Sequence, residues 1–221
     1  MENIKAVLFD FDDTIGNRNE YAYLFYEWFL SENIKGFNDD PILKEAVLQD
    51  IMTWDQHSYV NKKFILEKLY EVYKYDLRDI DISDIYEDNV YRFVKLSDEV
   101  KEVLNTIKSK YRLGMITNGT SHGQRKKISQ DLDLSMFETI IISGDYGYNK
   151  PDIRLFEKAI SDLNLKPEEI AFVGDSFSRD INGSYRAGMK PIWIWPEDGR
   201  IQKSDVIRIR NIKELPAVLG L

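Results

Sequence analysis

Five short apolar runs constrain the fold of this chain more than any other feature: KAVLF (Lys5 to Phe9), LGMIT (Leu113 to Thr117), TIIIS (Thr139 to Ser143), IAFVG (Ile170 to Gly174) and PIWIW (Pro191 to Trp195). Each is continuous rather than alternating, the pattern of a strand buried on both faces. Helical patterns lie between most of them: SDEVKEVLNTIKSKY before the second, GQRKKISQDLDL after it, PDIRLFEKAISDLNL before the fourth and RDINGSYRAG after it. Alternating strands and helices predict an α/β fold, a parallel sheet with helices on both faces. A sheet of that kind carries its chemistry at the carboxyl ends of its strands.

One interval breaks the alternation. Between about Asn17 and Lys95 no strand pattern occurs, and EYAYLFYEWFLSEN, PILKEAVLQDIMTW, YVNKKFILEKLYEVYKY and SDIYEDNVYRFV all read as helices rich in Leu, Ile and aromatics. That is too much helix for one crossover connection. The reading is therefore a core made of residues 1–16 and 96–221, interrupted by an inserted helical subdomain at residues 17–95. With 221 residues, 43% of them hydrophobic, the chain has material for such a core.

Charge and composition narrow the function. A formal net charge of −8 argues against a surface that wraps a nucleic acid polymer, whose affinity comes from Lys and Arg on phosphates. A small anionic substrate remains compatible, because a metal ion reverses the sign locally. The absence of Cys removes disulfides, thiolate metal sites and a Cys nucleophile. No run approaches the about 20 apolar residues that span a bilayer, so the expectation is a cytoplasmic protein, monomer or homodimer, without membrane association.

The first apolar run ends in VLFDFDDTIG, with Asp10, Asp12 and Asp13 within four residues. If the strand continued, Asp10 and Asp12 would share a face. Carboxylates that close repel, and a shared proton, a cation or a metal ion must compensate. Three further polar clusters fall at or beyond strand ends: Thr117 and Asn118 in TNGTS, Lys150 in YNKPD, and Asp175 and Asp180 in GDSFSRD. In a parallel sheet these converge on one edge. A carboxylate can attack phosphorus and form an acyl phosphate, and a second one two residues on can pass protons to and from the oxygens involved. Mg²⁺ takes one or two carboxylates alongside substrate phosphate and water, which Asp10 and Asp175 can supply. Thr117, Asn118 and Lys150 are then candidates to hold the phosphoryl oxygens.

In order and spacing, DFDDTIG, TNG, NKPD and GDSFSRDINGSYRAG resemble the four motifs of the haloacid dehalogenase-like hydrolase superfamily, and the insertion resembles its C1 helical cap. The resemblance covers almost the whole chain. It implies a Rossmann-like core and Mg²⁺-dependent phosphoryl transfer through an aspartyl phosphate. Asp10 would be the nucleophile, Asp12 the acid/base and a metal ligand through its backbone carbonyl, and Asp175 a metal ligand. Asp180 would sit near the metal or tether Lys150. The overall layout is most similar to the house-cleaning nucleotidase and sugar-phosphatase branch, acting on a small phosphorylated metabolite such as a nucleoside monophosphate or a sugar phosphate.

Alternatives within and beyond the family remain. Dehalogenases lack the Asp two residues after the nucleophile, so Asp12 favours phosphatase chemistry. A mutase needs a cap His where this chain has Ala22, and a phosphonatase needs a cap Lys, for which Lys35, Lys44, Lys62 and Lys63 carry no distinguishing surroundings. A phospho-aspartate switch, or a binding protein without turnover, would keep the acids and lose the hydrolysis. Asn17, Arg18 and Tyr21, just past the first motif, are the candidate substrate contacts of the cap. The cap is expected to close on hinges near residues 16–19 and 91–98. The stripe Tyr21, Phe25, Trp28 and Phe29 reads as bundle core, His57 and His122 as surface or loop positions, and Arg125 to Lys127 as the solvated face of a helix.

Overall fold

The structure is a computed structural model that describes residues 3–58, 60–195 and 202–221. The chain divides into two compact units, one of Met1–Gly16 with Leu96–Leu221 and the other of Asn17–Lys95.

The first unit opens with β1 (Ala6–Phe9), whose four side chains are all buried. After the second unit it resumes with α5 (Asp98–Lys108), β2 (Arg112–Thr117), α6 (Ser121–Asp131), β3 (Phe137–Ile142) and α7 (Ile153–Leu163). Then come β4 (Ile170–Gly174), α8 (Asn182–Arg186), β5 (Lys190–Ile194), β6 (Ile207–Ile209) and α9 (Leu215–Leu219). The strands form one sheet in the order β3-β2-β1-β4-β5-β6, parallel at every pairing. The order reverses at β1, between β2 and β4, and sheets of this kind bind ligands beside that reversal. Ala6, Leu8, Ile116, Ile141, Ile170 and Phe172 line one face, against Leu155, Phe156, Ala159 and Leu163 of α7. Gly183 in α8 is part of this packing, since a Cβ there would lie 2.5 Å from the Phe156 ring.

All five expected strands are present, and β3 starts two residues before its expected TIIIS run. Two elements, β6 and α9, exceed the expectation. The first is a three-residue edge strand whose central Arg208 interrupts any apolar run. The second is a helix of barely one turn, too short for a 3.6-residue period to register.

The second unit comprises α1 (Arg18–Asn33), α2 (Pro41–Asp55), α3 (Lys62–Tyr73) and α4 (Ile82–Asn89). Asn17, Asp40, Asn61 and Asp81 precede these helices, and the side chain of each accepts a backbone N–H from the first turn. Pro41 opens α2 at a position where its missing N–H costs nothing. Tyr21, Phe25 and Phe29 are buried as the bundle-core reading required, and Phe25 stacks on Phe29 and meets Tyr86 edge-on at 4.8 Å. Tyr59, at the start of the expected third helical segment, lies outside the described residues. Among the described residues no helix is long and apolar enough to cross a membrane.

Candidate active site

The strand β1 ends at Phe9, so the pleat does not place the acids that follow it; a turn does. Asp10 still pairs with β4, its N–H donating to the Val173 carbonyl at 2.9 Å. The chain then curls through Asp13 in the left-handed region, at φ 59°, and is closed by Asp13 N–H to Gly16 O and Gly16 N–H to Phe11 O, both 2.8 Å. Asp10 Oδ1 accepts the Phe11 N–H at 2.7 Å, which fixes the plane of its carboxylate.

Beyond β4 the chain makes a single π-helical turn, Phe177–Ile181, that carries Asp180 back over the strand end. Asp180 is fully buried, and its Oδ2 accepts the Ser176 N–H at 3.0 Å. Gly174 makes this possible, for a Cβ there would lie 2.5 Å from Asp180 Cβ and Cγ. Trp193 of β5 supports the same loop, its indole N–H donating to the Asp175 carbonyl at 2.7 Å.

Lys150 joins the two acidic loops. Its Nζ lies 2.8 Å from Asp10 Oδ1 and 2.7 Å from Asp180 Oδ1, donates to the Ile116 carbonyl at 2.9 Å, and is buried. Asn118 builds its seat: Oδ1 accepts the Lys150 N–H at 2.8 Å and Nδ2 donates to the Lys150 carbonyl at 3.3 Å. This corrects the expectation that the Asn118 side chain holds phosphate, because both ends of its amide are committed to the lysine loop. Of the two roles expected for Asp180, the structure shows the tether to Lys150 directly and places the same carboxylate within reach of the other acids.

The electrostatics follow from burial. Burial is the largest cause that pushes Asp10 up to about 7; Lys150 opposes it, and repulsion from Asp180 and Asp12 adds to it. Burial likewise pushes Asp175 up to about 9, helped by repulsion from Asp180, Asp10 and Asp13. Asp13 is thus close enough to Asp175 for its charge to be felt. Burial lowers Lys150, but Asp10 and Asp180 outweigh it and hold the ammonium above its ordinary value.

Asp10, Asp175 and Asp180 each offer an oxygen, all within 4.8 Å of one another. An all-oxygen set with buried carboxylates and an excess of negative charge over Lys150 fits a hard divalent cation. Binding one would relieve the repulsion that raises Asp10 and Asp175.

Sequence reasoning missed two residues of the site, both on α6. The Lys127 ammonium lies 2.8 and 2.7 Å from the two Asp12 oxygens. Gln124 Nε2 reaches Asp12 Oδ2 at 3.2 Å, Thr117 Oγ1 at 2.6 Å and the Asn118 carbonyl at 2.9 Å. The solvated-face reading of Arg125 to Lys127 therefore holds for Arg125, which is exposed and pairs with Asp145, and fails for buried Lys127. A signal existed: Gln124 and Lys127 share a helical face with Ile128, the apolar anchor of α6.

The proposed substrate contacts have occupations inside the helical unit. Asn17 caps α1, accepting the Glu20 N–H at 3.3 Å. Arg18 is buried and ion-paired to Asp55, and Tyr21 is 2% exposed. Arg18 and Tyr21 are thus committed to pairing and packing within this unit, whereas Asn17 caps α1 from an exposed position.

An acid cluster bridged by a buried lysine thus lies at the reversal of a parallel sheet, the place where sheets of this architecture bind ligands. Residues 7–194 match the family model of the haloacid dehalogenase-like hydrolases, and the chain belongs to that family. It is 29% identical to the glyceraldehyde 3-phosphate phosphatase of Methanothermobacter thermautotrophicus, over 98% of this chain and 100% of that protein. It is 33% identical to the N-acylneuraminate-9-phosphatase of Mus musculus, over 56% of this chain and 52% of that protein. Its fold matches the HAD-hydrolase YfnB of Bacillus subtilis bound to magnesium, with a TM-score of 0.79 at 23% identity and full coverage of both chains. The chain is an enzyme of the phosphoric monoester hydrolase class.

Proposed function

We propose that this enzyme hydrolyses small phosphorylated metabolites, a sugar phosphate or a nucleoside monophosphate, with Mg²⁺ and through an aspartyl phosphate on Asp10. The observation that carries the reading is Lys150 held between Asp10 and Asp180, in a site whose three carboxylates lie within 4.8 Å of one another. The full-length relative acts by name on a three-carbon sugar phosphate, which puts sugar phosphates first in line for testing. In this reading residues 17–95 are the cap of the family.

The residues supply the steps. An Asp10 oxygen attacks phosphorus, the ester oxygen leaves with its electron pair and takes a proton from Asp12, and phospho-Asp10 results. Water then attacks phosphorus, gives its proton to Asp12, and the bond to Asp10 breaks with its electrons returning to the carboxylate. Lys150 neutralises Asp10 and Asp180 throughout, and the Thr117 hydroxyl donates to a phosphoryl oxygen. Asp10, Asp175 and Asp180 would hold the Mg²⁺, with Asp12 contributing its carbonyl. When bound, the ion supplies positive charge to the phosphoryl oxygens.

The test is phosphate release from a panel of sugar phosphates and nucleotides, with Mg²⁺ or a chelator, by wild type and Asp10→Asn. Metal-dependent release by wild type, lost in the variant, is expected. Release that persists in Asp10→Asn would overturn the nucleophile, and a folded wild type silent across the panel would overturn the reading.

A further inference from the structure

We propose that Lys127 and Gln124 are positioning residues that aim the Asp12 carboxylate at the water that hydrolyses phospho-Asp10. The inference rests on the phosphatase reading above and extends it to two residues outside the four motifs.

Asp12 needs help to be aimed. It lies beyond the last residue of β1, in a turn, and its side chain is 24% exposed, so strand pleating does not fix its rotamer. A base that must reach one proton of one water loses most of its effect if it samples other directions. Lys127 supplies the restraint, because one ammonium touches both carboxylate oxygens, at 2.8 and 2.7 Å, from a side chain only 9% exposed. An ion pair so screened from water is far more directive than one on the surface.

Gln124 adds direction. Its Nε2 reaches the Asp12 carboxylate and the Asn118 carbonyl, neither of which can donate, so this edge of the amide is its NH₂. The same group lies 2.6 Å from Thr117 Oγ1, which must accept there. The Thr117 proton is thereby turned away from Gln124 and left for a phosphoryl oxygen. One amide thus sets the proton of Thr117 and the rotamer of Asp12 in common. The two residues sit three apart on α6, on its buried face, and that rigid element holds both relative to the sheet.

The step served is the second one. Water oxygen bonds to phosphorus, a water proton passes to an Asp12 oxygen, and the phosphorus–Asp10 bond breaks with its electron pair going to Asp10. Lys127 acts only by holding the Asp12 carboxylate in place.

The test uses p-nitrophenyl phosphate, whose leaving group departs without a proton from Asp12, so phosphorylation of Asp10 is spared and hydrolysis isolated. In Lys127→Met the expected result is a rapid burst of p-nitrophenol near one per enzyme, then a steady rate lowered about 10- to 100-fold. KM should fall with kcat, leaving kcat/KM within about threefold of wild type, because phospho-enzyme accumulates. Lys127→Arg should recover most of the rate, and Gln124→Met, which strands no charge, should lower the steady rate by less than Lys127→Met. A crystal structure of Lys127→Met should show the Asp12 carboxylate turned out of reach of Gln124. Burst and steady rates that fall together, rates that do not change, or an unmoved Asp12 would overturn this inference alone. A wild type without turnover would overturn the phosphatase reading with it.

Discussion

Gly174 shows how narrowly the site is fitted at the level of single atoms. The glycine leaves room for Asp180, and Gly174→Ala would push a methyl into that carboxylate at 2.5 Å. Overpacking of this kind costs about 1–3 kcal/mol. The variant is expected to stay folded and to lose most of its activity and Mg²⁺ affinity, because Asp180 must move and Lys150 with it; steady-state kinetics and Mg²⁺ titration of the purified variant check this, and wild-type values in both would refute it. The acids carry a second prediction. Asp10 at about 7 and Asp175 at about 9 bind protons more tightly folded than unfolded, where carboxyls titrate near 4. The metal-free protein therefore loses stability as pH rises from about 4 to about 9, since the unfolded chain releases its protons first. Mg²⁺ competes with those protons, so it should raise the melting temperature more at pH 8.5 than at pH 5.5. Equal shifts at the two pH values would show that these carboxyls do not hold the ion. At this scale Asp10 and Asp175 were legible because each directly follows a readable strand, and Asp180 and Lys150 because they lie in the polar stretches that follow such strands. Lys127 and Gln124 were hidden by α6 itself, a helix so polar that a buried lysine on it looks like an exposed one.

Among the elements, the helices of the second unit carry an unusual core group. Asp55, at the end of α2, is fully buried, paired to Arg18 of α1 and Lys62 of α3 at 2.5 Å each, and accepts the Tyr26 hydroxyl at 2.8 Å. Burial pushes the Asp55 carboxyl up, but Arg18, Lys62 and the hydrogen bonds outweigh it and hold it at about 2. A depressed carboxyl stabilises the fold above its unfolded value near 4 and loses that contribution as pH falls toward 2. Asp55→Asn would remove the carboxylate that the two buried cations share, at a cost of about 3–5 kcal/mol. Urea unfolding is the check, with Asp55→Leu combined with Arg18→Met and Lys62→Met as the milder comparison; an Asp55→Asn variant within about 1 kcal/mol of wild type would show the network to be dispensable. None of this was legible, because charged residues on three separate helices give no common signal in sequence. The helices themselves were readable from their apolar spacing and polar caps, and so were the five longer strands. The edge strand β6 and the short α9 lacked the length on which periodicity depends.

For the whole molecule, the division at Gly16 and Leu96 separates the chemistry from the helical unit: every acid of the cluster, with Lys150, Thr117 and Lys127, belongs to the unit that contains the sheet. Mg²⁺ should therefore stabilise that unit selectively, by about 2.7 kcal/mol at a hundredfold excess over Kd. The four tryptophans divide evenly, Trp28 and Trp54 in the helical unit and Trp193 and Trp195 in the sheet unit, so variants keeping one pair report each unit by fluorescence. A Mg²⁺ shift confined to the Trp193 and Trp195 transition is expected; an equal shift in both pairs would mean that the units unfold as one. The insertion was legible because 79 residues without a strand pattern, Asn17–Lys95, are too many for a crossover, whereas Arg18 and Tyr21 carried no sign in sequence that pairing and packing would claim them. The indole of Trp193, which donates to the Asp175 carbonyl, adds a practical consequence: if Asp175 takes a cation as proposed, the protein carries its own optical gauge at that loop, and cation arrival should change its ultraviolet emission without any added dye.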